Sequence, residues 1–134
     1  MLNELSSRWL KMAVVYFVIG VGLGIYMGSS HQFTLMPVHA HVNLLGWVSM
    51  VLFGVLHQLF PQQLNNKIAV VQFWIYQLTL PVLSVALALM LRGNAAIEPV
   101  VGIASMGIGI AVLLFAFNVL TNLRPQRRGL AAAE

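Results

Sequence analysis

From Met12 to Asn66 the chain contains no Asp, Glu, Lys or Arg. Few environments tolerate a charge-free stretch of that length, and the bilayer interior is the one that demands it. A membrane span needs about 20 apolar residues, so the stretch holds two spans and a short turn. Ile68 to Leu91 and Pro99 to Leu123 are also charge-free and supply two more. Only 7% of residues are charged and 60% are hydrophobic, against about 25% charged in a soluble domain. The expected architecture is an all-α membrane protein, one domain over residues 1–134, folded as a four-transmembrane-helix bundle. Its spans fall at about 9–27, 38–60, 68–91 and 99–123.

The few charges are placed asymmetrically. Arg8 and Lys11 precede the first span, Lys67 lies between the second and third, and Arg124, Arg127 and Arg128 follow the fourth. Only Arg92 lies on the other side. Basic loops stay in the cytoplasm, so the N- and C-termini and the middle loop are expected to be cytoplasmic, in a multi-pass protein of a bacterial-type inner membrane. The formal net charge of +4 then reads as an orientation signal, with anionic lipid contact as a second use and no nucleic-acid role. The absence of cysteine excludes disulfides, thiolate metal sites and cysteine-linked haem. No A-x-A type cleavage site precedes the second span, so the N-terminal segment reads as retained.

Several local features carry expectations. Ser6 or Ser7 is a candidate cap for a helix starting near Arg8 or Trp9, with Trp9 at the interface. Gly20, Gly24 and Gly28 share one helix face, and small residues at that spacing admit a second helix. That helix is either another copy of the chain or another helix of the same subunit. His31, in the loop from Gly28 to Met36, reads as solvated. Gln72, Gln77, Thr79 and Ser84 are expected to bond across helices, Trp74 and Tyr76 to anchor at the interface, and Pro81 to kink the third span. Gly93 is a natural helix stop, and Arg92 and Glu98 are expected to form an exposed ion pair. Gly102, Ser105, Gly107 and Gly109 make a second small-residue surface, and the tail from Arg124 reads as polar.

Pro37 to Pro61 holds three of the four histidines. Ionisable side chains at membrane depth are functional candidates by default. At 1.5 Å per residue His39 and His57 are about 27 Å apart, too far to share an ion. His39 and His41 lie about 200° apart around a helix of 3.6 residues per turn. The His39 face continues through Asn43, Gly46, Met50 and Gly54, a polar and small stripe. His41 heads an apolar row of Leu45, Val48, Leu52 and Leu56, suited to lipid, a partner subunit or a haem. Hydrolytic zinc chemistry needs more ligands and a general base, and no nucleophile arrangement is present. A b-type haem needs one or two imidazoles and an apolar slot, which these residues can supply.

The segment His41-Val42-Asn43-Leu44-Leu45, at the outer end of a second helix running inward to a proline, resembles the haem-ligand helix of the catalytic subunit of haem-copper oxidases and nitric-oxide reductases. The whole chain looks like the short four-span relatives of cytochrome c oxidase subunit I. The resemblance implies that His41 is an axial ligand of a low-spin haem near the outer face. His39-Ala40-His41 followed by Leu45-Gly46 also resembles a haem- and copper-associated membrane family linked to nitric-oxide response, which leaves the choice between His39 and His41 open. The large subunits take their remaining ligands from helices absent here, and no His-His pair occurs. A complete oxidase is therefore not expected of this chain alone.

Three readings follow. The first is a haem-binding membrane protein for electron transfer or nitric-oxide binding, with His41, His39, Asn43, Leu45 and Gly46 at a haem b site, acting as a homodimer or other homo-oligomer with a redox partner. The second is a copper- or zinc-binding or assembly module in which His39 and His41 chelate the ion, which requires extended backbone at Ala40. The third is a structural subunit without cofactor, whose histidines bond across helices.

Overall fold

Hydrocarbon offers the backbone no hydrogen-bond partner, so apolar segments of this length satisfy their own N–H and C=O groups as helices. The computed structural model describes residues 1–125; the tail 126–134, with Arg127 and Arg128, lies outside the described residues. Four helices are long and apolar enough to cross a membrane: α1 (Glu4–Ser30), α2 (Met36–Leu59), α3 (Lys67–Leu91) and α4 (Glu98–Asn122). Helical turns at Pro61–Leu64 and Ala95–Ile97 complete the two later connections. Gly93 takes the left-handed conformation (φ 103°) just past α3, where a residue without Cβ is unstrained.

The two ends of the described chain meet at one end of the bundle. The Asn3 backbone N–H donates to Gln58 Oε1 (3.0 Å), and Gln63 Nε2 donates to the Arg124 carbonyl (3.4 Å). Arg8, Lys11, Lys67 and Arg124 gather there, and it is called the basic end below. Arg92 and Glu98 lie at the opposite end but make no ion pair. Arg8 with Glu4 is the only one among the described residues.

The first span begins earlier than the sequence suggested. Asn3, not Ser6 or Ser7, caps α1: its Oδ1 accepts from the Ser6 N–H (2.8 Å), while its Nδ2 donates to the His57 carbonyl (2.8 Å). Ser6 is instead buried and donates to the Gly54 carbonyl (2.8 Å). Trp9 does not sit at the lipid interface either. It is fully buried against Phe53, Phe73 and Tyr76, with ring centroids 5.0, 4.8 and 5.5 Å away in edge-on geometry. Phe53 passes the cluster on to Phe115 of α4 at 4.5 Å. Such edge-to-face pairs add to area burial, so this layer ties all four helices together. Tyr76 is likewise a core residue; only its neighbour Trp74 is exposed to lipid, at 51%.

One turn nearer the basic end lies a polar layer. Ser6, His57, Gln72 and Asn118, one from each helix, are all fully buried. Asn118 accepts from Asn66 (2.6 Å) and donates to the Leu64 carbonyl (3.0 Å), which fixes the 61–67 connection beneath the bundle. Gln72 makes no side-chain hydrogen bond among the described residues. Of the other α3 groups expected to cross between helices, only Gln77 does so, to the Met50 sulfur (3.5 Å). Thr79 and Ser84 bond back to their own helix, at 2.7 and 2.9 Å. The helix runs on through Pro81.

The glycines divide by helix face. A Cβ on Gly20 would meet the Asn43 side chain and one on Gly24 the His39 ring, both on α2, whereas Gly28 faces open space. The first two therefore serve packing within one subunit. On α4, Gly107 admits Thr79 of α3, while Gly102 and Gly109 also face open space.

Candidate functional site

The site is built on the first turns of α2, at the end of the bundle remote from the basic cluster. Pro37 occupies the first turn of the helix, where its missing N–H is no loss, and the backbone is α-helical from Met36 through His41. His39 and His41 consequently leave the helix in different directions.

His39 turns toward α1. Its Nδ1 lies 3.0 Å from the Gly20 carbonyl, and its ring packs over Gly24. A carbonyl can only accept, so the shorter contact makes Nδ1 the donor, and the Asn43 Nδ2 that stands 3.3 Å from it donates to the His39 carbonyl instead. Asn43, one turn on, donates from Nδ2 to the His39 carbonyl (2.9 Å) and fills the space over Gly20. Gly46 continues the seam, buried against the Tyr16 ring, which a Cβ there would overlap.

His41 is oriented within its own helix. Its Nδ1 lies 2.7 Å from the Pro37 carbonyl, so Nδ1 is the donor and, in the neutral ring, Nε2 is the acceptor. A metal-ligating histidine donates its other ring N–H to a backbone carbonyl or a carboxylate in this way. Nε2 makes no hydrogen bond among the described residues. Farther along α2, Leu44, Val48 and Leu52 are 60%, 42% and 56% exposed, an apolar face that no other described part of the chain covers. Leu45 is half-buried, and its carbonyl accepts from the Tyr76 hydroxyl (3.0 Å).

The five candidate residues therefore do not converge on one point. His39, Asn43 and Gly46 form the seam with α1, while His41 stands apart from it. The helical backbone at Ala40 lacks the extended geometry that chelation by His39 and His41 requires, which counts against a copper or zinc chelate. No group of three or more His, Cys, Asp or Glu side chains clusters among the described residues. His31 is exposed and closes α1 in the left-handed conformation (φ 54°).

One feature escaped sequence reasoning: α2 is π-helical from Val42 to Ser49. Five of its buried residues, Val38, Val42, Gly46, Met50 and Gly54, recur every fourth position. Steps of four overshoot the 3.6-residue α turn and undershoot the wider i→i+5 turn, so the mixed helix holds all five on one line. Two side chains support the wide turn. Ser49 Oγ donates to the Leu44 carbonyl five residues back (2.8 Å), and Tyr76 engages the Leu45 carbonyl. π segments concentrate at functional sites, and this one begins at the residue after His41.

The fold defines an integral membrane protein of four spans; His41 is held by its own helix, and Leu44, Val48 and Leu52 expose an apolar face farther along α2. No protein-family model, curated protein or solved structure matches the chain.

Proposed function

We propose that the chain is a haem-binding integral membrane protein for electron transfer or gas binding, with His41 as axial ligand. The observation that carries this reading is the 2.7 Å bond from His41 Nδ1 to the Pro37 carbonyl. In the neutral ring it puts the proton on Nδ1 and leaves a lone pair on Nε2, while Leu44, Val48 and Leu52 expose apolar surface farther along the same helix. These residues fit a b-type haem, which needs an imidazole and apolar surface. Bound there, the group supplies an iron for one-electron transfer or for a diatomic gas such as nitric oxide. The chain's own part is to aim the imidazole through Pro37, to keep water away with the leucine and valine face, and to brace α2 through the His39–Gly20 bond.

The Leu44, Val48 and Leu52 face of α2 is open, so a second copy of the chain completes the site in this reading, as a homodimer. The basic end is assigned to the cytoplasm on the distribution of Arg and Lys, which places His41 near the outer leaflet of a bacterial-type inner membrane. The chain has no cysteine, so single cysteines at Gln62 and Asn94 report orientation directly. An impermeant thiol reagent applied to intact spheroplasts is expected to label Asn94→Cys and spare Gln62→Cys; the reverse pattern overturns the assignment.

The visible spectrum of the purified protein in detergent tests the haem reading. A Soret band that shifts on reduction and disappears in His41→Ala is the expected result. A colourless protein from haem-replete cells, which also takes up no added haemin, defeats it. That outcome would leave the structural-subunit reading, which the cross-helix bond of His39 (3.0 Å) and the His57–Asn65 bond (2.8 Å) favour.

A further inference from the structure

A groove of about 470 Å³ opens between α1 and α3 toward the basic end. It is lined by Met12, Phe73, Trp74, Gln77 and Leu78, with Arg8 and Lys11, one helical turn apart, toward the basic end. Phe73 forms a buried floor, while Trp74 and Leu78 are 51% and 64% exposed along the sides. The slot is thus open to the bilayer along its length and cationic at one end.

The two cations are not equivalent. Arg8 already pairs with Glu4, with its side chain 47% exposed. Lys11 has no carboxylate within ion-pair distance among the described residues. A lysine at this depth extends its stem along apolar surface and holds its ammonium at headgroup level. A soluble anion would satisfy Lys11 but leave the slot unfilled. A zwitterionic lipid would fill the slot but return no net charge to the cations.

We propose that this groove is a binding site for one anionic phospholipid of the leaflet at the basic end. The phosphate group sits between Lys11 and Arg8, and an acyl chain lies along Met12, Trp74 and Leu78. Basic pockets between transmembrane helices take anionic headgroups in this way. The site rests on the spanning architecture alone and stands whether or not the chain binds haem.

Trp74 makes the site observable, because a brominated acyl chain in contact with an indole quenches its fluorescence. The full chain is reconstituted in phosphatidylcholine vesicles containing a small fraction of brominated phosphatidylglycerol, and compared with the same fraction of brominated phosphatidylcholine. Phosphatidylglycerol is expected to quench as though enriched several-fold at the site. Lys11→Gln is expected to lower that enrichment about fivefold, the worth of one cation near an anionic surface; Lys11→Arg is expected to retain it. Trp74→Phe removes the selective component and so localises it, and Lys67→Gln, away from the groove, leaves it intact. Equal quenching by both lipids overturns the proposal, as does selectivity that survives in the Arg8→Gln, Lys11→Gln double variant.

Discussion

The two ends of α2 each carry histidine, and they use it oppositely. At the basic end His57 is fully buried, its Nδ1 against Asn65 Oδ1 (2.8 Å) and its carbonyl held by Asn3. At the other end His41 is half-buried and bonds only to its own helix. The first imidazole joins the N-terminus, α2 and the 61–67 connection. The second joins no other element among the described residues, and α2 beyond it exposes Leu44, Val48 and Leu52. His39 is intermediate, with one cross-helix bond to α1. A histidine at membrane depth is therefore not one kind of evidence: what surrounds each ring nitrogen decides whether it serves the fold or a ligand.

If that contrast is right, stability is concentrated at the basic end. The largest effect is expected for Trp9→Ala, which empties the centre of the aromatic layer. Truncating a buried tryptophan costs about 3–5 kcal/mol, read as a lower midpoint in a detergent-denaturation titration. Trp9→Phe should recover much of the loss, since it keeps ring packing and removes an N–H that has no protein partner. A Trp9→Ala protein as stable as the parent would mean that the layer does not hold the helices together.

His57→Ala should follow, at about 2–4 kcal/mol, because it combines a buried void with the loss of the Asn65 bond. His57→Asn fills less space but retains a polar group, and should be intermediate. An effect no larger than that of His39→Ala would erase the proposed difference between the two ends.

What the sequence disclosed, and what it withheld, follows the same division. Charge-free runs fix depth, so the four spans and the turn at Gly93 were legible. Depth does not fix azimuth: Trp9 and Trp74 both lie near the basic end, yet one faces the core and the other faces lipid. Nor did Ser6 announce its role, because the alternative to capping α1 is the Gly54 carbonyl, 48 residues along the chain. The π segment was hidden for the same reason, since Tyr76 reaches the Leu45 carbonyl from 31 residues away. In the candidate site, the different directions of His39 and His41 were readable from helical rotation. The His39 partner depended on how closely α1 approaches at Gly20 and Gly24, whereas the His41 partner lies in its own first turn.

His39→Ala is expected to cost less, on the order of 0.6–1 kcal/mol, the usual worth of one hydrogen bond between transmembrane helices. Gly24→Ala acts on the same contact from the other side, because its Cβ would stand 3.1 Å from the His39 ring. Placing both changes in one protein should cost less than their sum, since they disturb one contact. Full additivity would show that the ring does not rest on that glycine.

The smallest stability change belongs to His41→Ala, and it is the most informative of the series. The bond to Pro37 spans one helical turn, and the protein around it is not closed over the ring, so the apoprotein midpoint should move by less than about 0.5 kcal/mol. The same substitution is expected to abolish the Soret band, whereas His39→Ala should leave it in place. A ligand on an open face loses function without losing fold, and a structural histidine does the reverse. If His41→Ala instead destabilises the apoprotein as much as His57→Ala, the ring is covered by something in the native membrane. The oligomer size of the parent, measured with and without the substitution, would then show whether a second copy of the chain covers it.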